Sequence, residues 1–321
     1  MNDAGTDPVE ALLKLLCEHY IFPDRAEQAA ASVRERNIAG DYRGLSEPVL
    51  AVLLTDHLFE ICHDKHLRVG VRTARDDQQG DAEERCRTRL RRERQLANHG
   101  IARVERLPGN IGLIDLRSIP DPADAARSIA AAMDLVAHTD ALIFDLRQNL
   151  GGWPEGVIFW NSYLFPDGDT LLNTIEHRGH GGPRQYWSLA AVPGDRYLDR
   201  PVYVLTSHAT FSGGEEFAYN LKTQQRATLI GEVTGGGAHP VDNFEVTATL
   251  QARIPVARSV NPVTGTNWEG TGVEPDVEVP ADQAFEHAYR AALDHVLATQ
   301  TAEPVLAEAR EILRRRGRHG R

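Results

Sequence analysis

Short apolar runs alternate with helix-like segments between residues 110 and 233, and this alternation leaves few folds open. The strand-like runs are 110–119, 141–147, 201–207 and 227–233, and the helix-like segments are 124–138, 154–165 and 214–225. Strand followed by helix, repeated in this way, implies right-handed βαβ units around a parallel sheet. We therefore expect an α/β core with a largely parallel sheet.

Two polar, glycine-containing loops follow strands of this predicted sheet. They read "DLRQNLGGWP" at 145–154 and "TSHATFSGG" at 206–214. Ligands of open α/β sheets bind beyond the carboxyl ends of the strands, so the two loops are expected to share one cleft. Residues 244–270 alternate apolar and polar side chains, which predicts strands or hairpins at an edge.

The residues before this core carry a different pattern. Apolar side chains recur at three- and four-residue spacing over 8–63, with breaks at "FPD" and "GDYRGLSEP", which predicts a few short helices. We divide the chain into a helical N-terminal domain (1–68), a charged linker (69–108), an α/β core (109–300) and a basic tail (301–321). A helix over 282–298 closes the core, and the tail reads as a frayed surface helix.

Charge, hydropathy and cysteine spacing argue against several classes of function. The chain has 321 residues and a formal net charge of -11, which argues against a nucleic-acid partner. No apolar run approaches the roughly 20 residues that a membrane span needs, and the N-terminus does not resemble a signal peptide, so a cytoplasmic protein without a membrane partner is expected. The three cysteines lack CxxC spacing, which predicts free thiols and no disulfide, metal or cofactor.

Four motifs in order resemble peptidase family S41. They are "ALIFDLRQNLGGWPEG", "VYVLTSHATFSGGEEFAYNLK", "ATLIGEVTGGGAHP" and "WEGTGVEPDVEV", after a helical region that ends in "DKHLRV". The family includes C-terminal processing proteases and the tricorn core protease, and the interphotoreceptor retinoid-binding protein-like bacterial branch is the most similar. The resemblance implies a three-helix N-terminal domain and a crotonase-like ββα core. The processing proteases of the family usually carry a PDZ domain between these two parts, but only about forty mostly charged residues separate them here, so no PDZ domain is expected.

Ser212 matches the nucleophile position of the family. It lies at a strand-to-helix turn, where backbone N–H groups at a helix N-terminus stabilise a developing oxyanion. The resemblance implies an oxyanion hole formed by the amide of Gly213 with that of Gly151 or Gly152. The alternative is that Ser212 is only a helix N-cap, with Glu215 completing a capping box.

The resemblance leaves the general base open. The lysine of the processing proteases is replaced by Gly237, and Lys222 is expected to be a solvated surface residue. The tricorn-like branch implies a triad of Ser212, His66 and Glu269. His208 and His239 are alternative bases, and each of these polar residues could instead have only a structural role.

Trp153, beside the oxyanion loop, is a candidate for the substrate pocket, whereas the glycines at 235–237 are expected to serve turns. The predicted function is a serine hydrolase that cleaves peptide or related acyl substrates through an acyl-enzyme at Ser212. One alternative is a non-catalytic protein that binds an apolar, retinoid- or fatty-acid-like ligand. Another is an enzyme of small-molecule biosynthesis, because a fold does not fix its substrate.

Overall fold

The structure is a computed structural model that describes residues 7–72, 81–179 and 182–319. The helices are α1 Pro8–His19, α2 Pro23–Ala39, α3 Glu47–Cys62, α4 Asp81–Leu96, α5 Pro122–Val136, α6 Pro154–Ser162, α7 Gly213–Thr223, α8 Ala281–Thr299 and α9 Glu303–His319. The strands are β1 Arg68–Val71, β2 Ile101–Leu107, β3 Ile111–Leu116, β4 Ala141–Asp145, β5 Leu171–His177, β6 Arg184–Trp187, β7 Val202–Thr206, β8 Thr228–Gly231, β9 Val241–Glu245, β10 Leu250–Pro255, β11 Ala257–Val260 and β12 Val277–Glu278.

The chain forms two compact units that are interleaved along the sequence. The first unit consists of Met1–Leu90, Thr174–Arg184 and Gly237–Val260. The second unit consists of Arg91–Asn173, Gln185–Gly236 and Asn261–Arg321.

The first unit packs three helices against one face of a small sheet. The strand order is β1-β10-β9, and both pairings are antiparallel. On β10 the side chains of Leu250, Ala252 and Ile254 are buried against the helices, because alternate residues of a strand point to the same face. In the same unit, β11 pairs antiparallel with residues 174–177 of β5.

Local sequence explains where two helices begin. Asp7 precedes Pro8, and its side chain accepts a hydrogen bond from the amide of Val9 at 3.0 Å. Asp121 and Pro122 repeat this arrangement at the start of α5. An aspartate N-cap followed by proline at the first helical position is a favoured helix start, because proline has no N–H to leave unpaired.

The second unit is built on a six-stranded sheet in the order β12-β8-β7-β4-β3-β2. All neighbouring strands are parallel except β2, which runs antiparallel to β3 at the edge. Side chains of α8 and α9 share a core with one face of the sheet. On β4, Phe144 contacts Trp160 of α6 and Phe217 of α7. Burial of consecutive residues on β3 and β4 is what a parallel sheet covered on both faces requires.

The expected α/β core with a largely parallel sheet, preceded by N-terminal helices, is confirmed. Within the predicted linker 69–108, residues 101–107 form the strand β2. Residues 81–96 form the helix α4, and 73–80 lie outside the described residues. Between β1 and β2 the described chain contains only α4 and a short 3-10 turn, which is no PDZ domain.

The C-terminal tail also differs from a frayed helix. Val305, Ile312 and Leu313 of α9 pack on the core that α8 shares with the sheet, because one face of this helix is apolar. Cys17 and Cys62 are free thiols, and the side chain of Cys86 lies outside the described part of the chain. Among the described residues, no helix has the length and the hydropathy that crossing a membrane requires.

Candidate active site

The loop after β4 is held by a buried asparagine. The side chain of Asn149 donates to the carbonyl of Leu116 at 2.7 Å and accepts from the amide of Gly151 at 2.8 Å. Its backbone carbonyl accepts from the amide of Phe211 at 2.9 Å. Asn149 therefore fixes this loop both to the sheet and to the loop that follows β7.

Gly152 is required by its surroundings. Its φ is 153°, and a Cβ atom on this residue would lie 1.8 Å from the carbonyl oxygen of Ile119. No side chain fits at that distance, so only glycine can occupy this position. The amide of the next residue, Trp153, donates to the same carbonyl at 2.8 Å.

Ser212 lies in the turn between β7 and α7 in a conformation that residues other than glycine rarely adopt. Its φ is 53° and its ψ is -121°. Such a conformation costs about 1–3 kcal/mol and is concentrated at functional sites, where it presents a side chain in one direction. The serine is half-buried, and the residues that follow it on α7 are fully buried. The serine therefore stands in a strained turn immediately before the N-terminus of α7.

Two backbone amides near Ser212 have no acceptor among the residues that the structure describes. These are the amides of Gly213 and Gly152, whereas the amide of Gly151 donates to Asn149. A Cβ atom on Gly213 would lie 2.9 Å from the Gly152 nitrogen, so the two amides are neighbours. Sequence reasoning left Gly151 and Gly152 as alternatives, and the hydrogen bonds favour Gly152.

Glu215 joins the serine turn to the loop after β8. One oxygen of its buried carboxylate accepts the amide of Ser212 at 2.8 Å. The other oxygen accepts the hydroxyl of Thr234 at 2.5 Å and the amide of Gly236 at 2.6 Å. Sequence reasoning found only the capping-box part of this role, because the other two partners lie about twenty residues away.

Glu269 lies in the same unit as Ser212, on a segment connected to this network. The amide of the adjacent Gly270 donates to the carbonyl of Gly236 at 3.1 Å. The hydroxyl of Thr234 also accepts the amide of Val273 at 2.7 Å. Glu269 is half-buried, and its own amide donates to the side chain of Asn267 at 3.0 Å.

Glu216 is a buried carboxyl group beside the serine turn. It accepts a hydrogen bond from the side chain of Asn173 at 3.0 Å. Burial raises its pKa to about 8, and the nearby charge of Glu155 acts in the same direction, so the group is largely protonated near neutral pH. It was not singled out from the sequence.

His66 and His239 lie in the first unit, where both are buried around Asp64. The Nδ1 atom of His239 is 2.6 Å from the Asp64 carboxylate, and the hydroxyl of Tyr20 donates to the same oxygen at 3.3 Å. The other oxygen accepts the amide of His66 at 3.0 Å. Sequence reasoning missed Asp64 although it stands two residues before His66.

Burial sets the charge of His66. It lowers the pKa of the imidazole to about 4, and the positive charges of Arg253 and Arg68 add to the effect, although Asp64 opposes it. His66 is therefore neutral at physiological pH, as a general base must be before it accepts a proton.

The other candidate residues occupy more open positions in the second unit. His208 is exposed, and its Nδ1 atom is 3.0 Å from the carboxylate of Glu232. Trp153 is also exposed. Lys222 donates to the carbonyl of Glu274 at 2.6 Å and forms an ion pair with Asp276, rather than being a simple solvated residue. Neither unit by itself brings three His, Cys, Asp or Glu side chains to metal-ligating distance among the described residues.

Comparison with known proteins identifies relatives of the core. Residues 110–279, which are more than half of the chain, match the sequence profile of peptidase family S41. A carboxyl-terminal-processing protease from Synechocystis is 31% identical over 198 residues, which cover 58% of this chain and 44% of the relative. The chloroplastic carboxyl-terminal-processing peptidase 2 of Arabidopsis thaliana is 29% identical over 198 residues, which cover 60% and 37%. The chain thus spans about two fifths of the length of these relatives.

Solved structures extend the likeness beyond the core. A candidate peptidase from Parabacteroides merdae matches with a TM-score of 0.64 and 19% identity, over 89% of this chain and 96% of that one. The tricorn protease matches with a TM-score of 0.55 and 14% identity, over 91% of this chain and 36% of the protease. At these identities the likeness shows a shared fold.

Proposed function

Because the chain belongs to peptidase family S41, we propose that it is a serine peptidase that forms an acyl-enzyme at Ser212. One observation carries the proposal: the strained turn of Ser212 lies beside two neighbouring amides, of Gly213 and Gly152, that have no acceptor among the described residues. A nucleophile next to two convergent N–H donors is the arrangement that acyl transfer requires.

In the proposed reaction, the Ser212 oxygen attacks the carbonyl carbon of the scissile bond while its proton passes to a general base. Negative charge develops on the carbonyl oxygen, where the amides of Gly213 and Gly152 would stabilise it. The base then returns the proton to the leaving amine, and water hydrolyses the ester. Loss of one oxyanion donor in a serine protease typically costs about 10²- to 10³-fold in rate.

We propose His66 as the base and Glu269 as the carboxylate that orients it, as the family resemblance implies. Burial that keeps His66 neutral supports this assignment. His239 is the second candidate because a carboxylate, Asp64, holds its Nδ1 atom. His208 is the third, although its exposed ring offers no desolvated environment. The substrate class in the proposal is peptides or related acyl compounds.

The test is covalent labelling with a fluorophosphonate, followed by mass spectrometry of the intact protein. We expect one adduct on the wild type and none on Ser212→Ala, because only a serine next to a base and an oxyanion hole is phosphonylated quickly. Ser118→Ala removes an exposed serine of the same unit and should retain the adduct. Absence of an adduct on folded wild-type protein would contradict the proposal and favour a protein that binds an apolar ligand.

A further inference from the structure

Two arginines face each other across the small sheet of the first unit. Arg68 on β1 is directly opposite Arg253 on β10 in the antiparallel register. Directly opposed residues of such a pair have Cβ atoms about 5 Å apart and lie on the same face, so the two guanidinium groups can reach one point. Both side chains are exposed, whereas Ala252 beside them is buried in the helix-facing core.

Like charges that are directly opposed destabilise a sheet unless a counter-charge compensates them. Neither Arg68 nor Arg253 forms an ion pair with an acidic side chain in the part of the chain that the structure describes. Arg72, one residue beyond the end of the pairing, contrasts with them because its guanidinium is 2.5 Å from Glu245. The chain has 46 acidic and 35 basic residues, so an unmatched pair of arginines does not follow from composition.

The neighbours of the two arginines add hydrogen-bond donors. The Nε atom of Arg68 donates to the carbonyl of Lys65 at 2.8 Å, which fixes the direction of its guanidinium. Asn243 on β9 is opposite Arg253 on the other side, so three donor side chains lie in one row across the sheet. The pKa of Arg253 is lowered, first by partial burial and then by the charge of Arg68, which shows that the two charges act on each other.

We propose that Arg68 and Arg253 form a binding site for a carboxylate group, supplied by a peptide. Each planar guanidinium offers two parallel N–H donors that match the two oxygens of a carboxylate. A bound carboxylate would replace the missing counter-charge and remove the repulsion between the arginines. The carboxylate can come from the peptide C-terminus or from an aspartate or glutamate side chain.

Arg68 stands two residues after His66 in the chain, and the charges of both arginines lower the pKa of that histidine. A peptide held there by its carboxylate would be anchored beside the residue proposed as the base. Binding itself does not depend on that assignment, so it can be measured in a protein that lacks the nucleophile.

The experiment is calorimetric titration of the full chain carrying Ser212→Ala with three acetylated tripeptides. Ac-Ala-Ala-Ala as the free acid tests the terminal carboxylate, Ac-Ala-Glu-Ala amide tests the side chain, and Ac-Ala-Ala-Ala amide is the neutral control. We expect at least one acidic peptide to bind and the neutral one to bind at least about tenfold more weakly, since charge-assisted hydrogen bonds are lost. Equal binding of all three, or no binding, overturns the proposal, as does tighter binding of inorganic phosphate.

Two variants separate a binding role from a structural one. Arg253→Gln should weaken binding of the acidic peptide at least about tenfold, whereas Arg72→Gln, which removes an arginine with an internal partner, should leave it unchanged. Without peptide, Arg253→Gln should unfold at the same or a higher temperature than the parent, because repulsion is relieved. A lower unfolding temperature together with unchanged peptide affinity would show that Arg253 is structural. Because Ser212 is absent, neither result bears on the proposed nucleophile.

Discussion

Glu215 and Glu216 are adjacent in the first turn of α7, yet their carboxyl groups have opposite surroundings. Glu215 accepts hydrogen bonds from Ser212, Thr234 and Gly236. Glu216 is buried with one side-chain donor, Asn173, and its pKa is raised to about 8. Hydrogen bonds to a carboxylate favour the charged form, whereas burial without enough donors favours the neutral acid. Residues one position apart on a helix therefore serve different purposes.

Glu216→Gln tests whether this group is a neutral acid. The folded-state pKa of about 8 lies above the ordinary glutamate value of 4.5, so the stabilising contribution of the acid is full below pH 4.5 and is lost as the pH rises through 8. Glutamine mimics the protonated acid and cannot ionise. We expect the variant to match the wild type in urea unfolding at pH 4 and to become progressively more stable than the wild type as the pH rises from 6 to 9.

Glu216→Ala is the companion to this measurement. It leaves the buried amide of Asn173 without its acceptor and should lower the free energy of unfolding by about 1–3 kcal/mol at pH 4, where the native group is a neutral acid. A Glu216→Gln protein that is less stable than the wild type at pH 9 would mean that the folded protein favours the charged carboxylate, which contradicts a raised pKa.

For single residues, the sequence pattern predicts which residue types form the candidate site, but it does not predict their hydrogen-bond partners. The serine and its glycines could be located because strand, glycine turn and helix follow each other closely in "TSHATFSGG". The choice between Gly151 and Gly152 could not be made, because it depends on Asn149 accepting the amide of Gly151. A hydrogen bond from a side chain two residues away leaves no periodic signal in the sequence.

One carboxylate, that of Glu215 on α7, connects this helix to the loop after β8. Glutamine at position 215 would keep one acceptor oxygen and replace the other with a donor, so it cannot accept from Ser212, Thr234 and Gly236 together. We expect Glu215→Gln to slow fluorophosphonate labelling of Ser212 by about 10- to 100-fold, and to lower the free energy of unfolding by about 1–3 kcal/mol.

Glu216→Gln provides the matched comparison, because the same chemical change is made one position away. It should label at close to the wild-type rate at neutral pH. Equal labelling rates for the two variants would show that the contacts of Glu215 do not position the serine turn.

Elements with strong local patterns could be predicted, and those that depend on distant partners could not. The predicted helix 282–298 corresponds to α8, Ala281–Thr299, and the predicted strands 141–147 and 201–207 contain β4 and β7. The sequence predicts a linker at β2 because "ARVER" contains three charged residues and shows no apolar strand pattern. In the structure, pairing with β3 stabilises these residues as an edge strand. Edge strands are commonly charged, so charge is a weak argument against a strand.

At the scale of the whole molecule, the chain passes between its two units five times. Continuous boundaries were predicted because sequence periodicity reports local structure only. β1 pairs with β10 between Arg68 and Arg253, residues that are far apart in the sequence, so no local pattern could assign 237–260 to the first unit. As a consequence, the proposed nucleophile and the proposed histidine base belong to different units.

The pH dependence of labelling tests the proposal that a residue of the first unit activates Ser212. If His66 is the base, the labelling rate should stay constant down to about pH 5, be half-maximal near pH 4 and fall about tenfold per pH unit below that, because only neutral imidazole accepts the proton. His66→Gln should reduce the plateau by about 10²-fold or more. His138→Gln, which changes an exposed histidine, should leave the profile unchanged.

The lowered pKa of His66 also predicts how the stability of the protein depends on pH. This effect on stability must be separated from the effect of pH on the labelling rate. The folded-state pKa of His66 lies below the ordinary histidine value of 6.5, so its stabilising contribution is present above pH 6.5 and is lost as the pH falls towards 4. Circular dichroism at each pH gives the folded fraction, and rates are corrected for it. An acidic limb near pH 6.5 that persists in His66→Gln would exclude His66 as the base, and its loss in His239→Gln would assign the base to that residue.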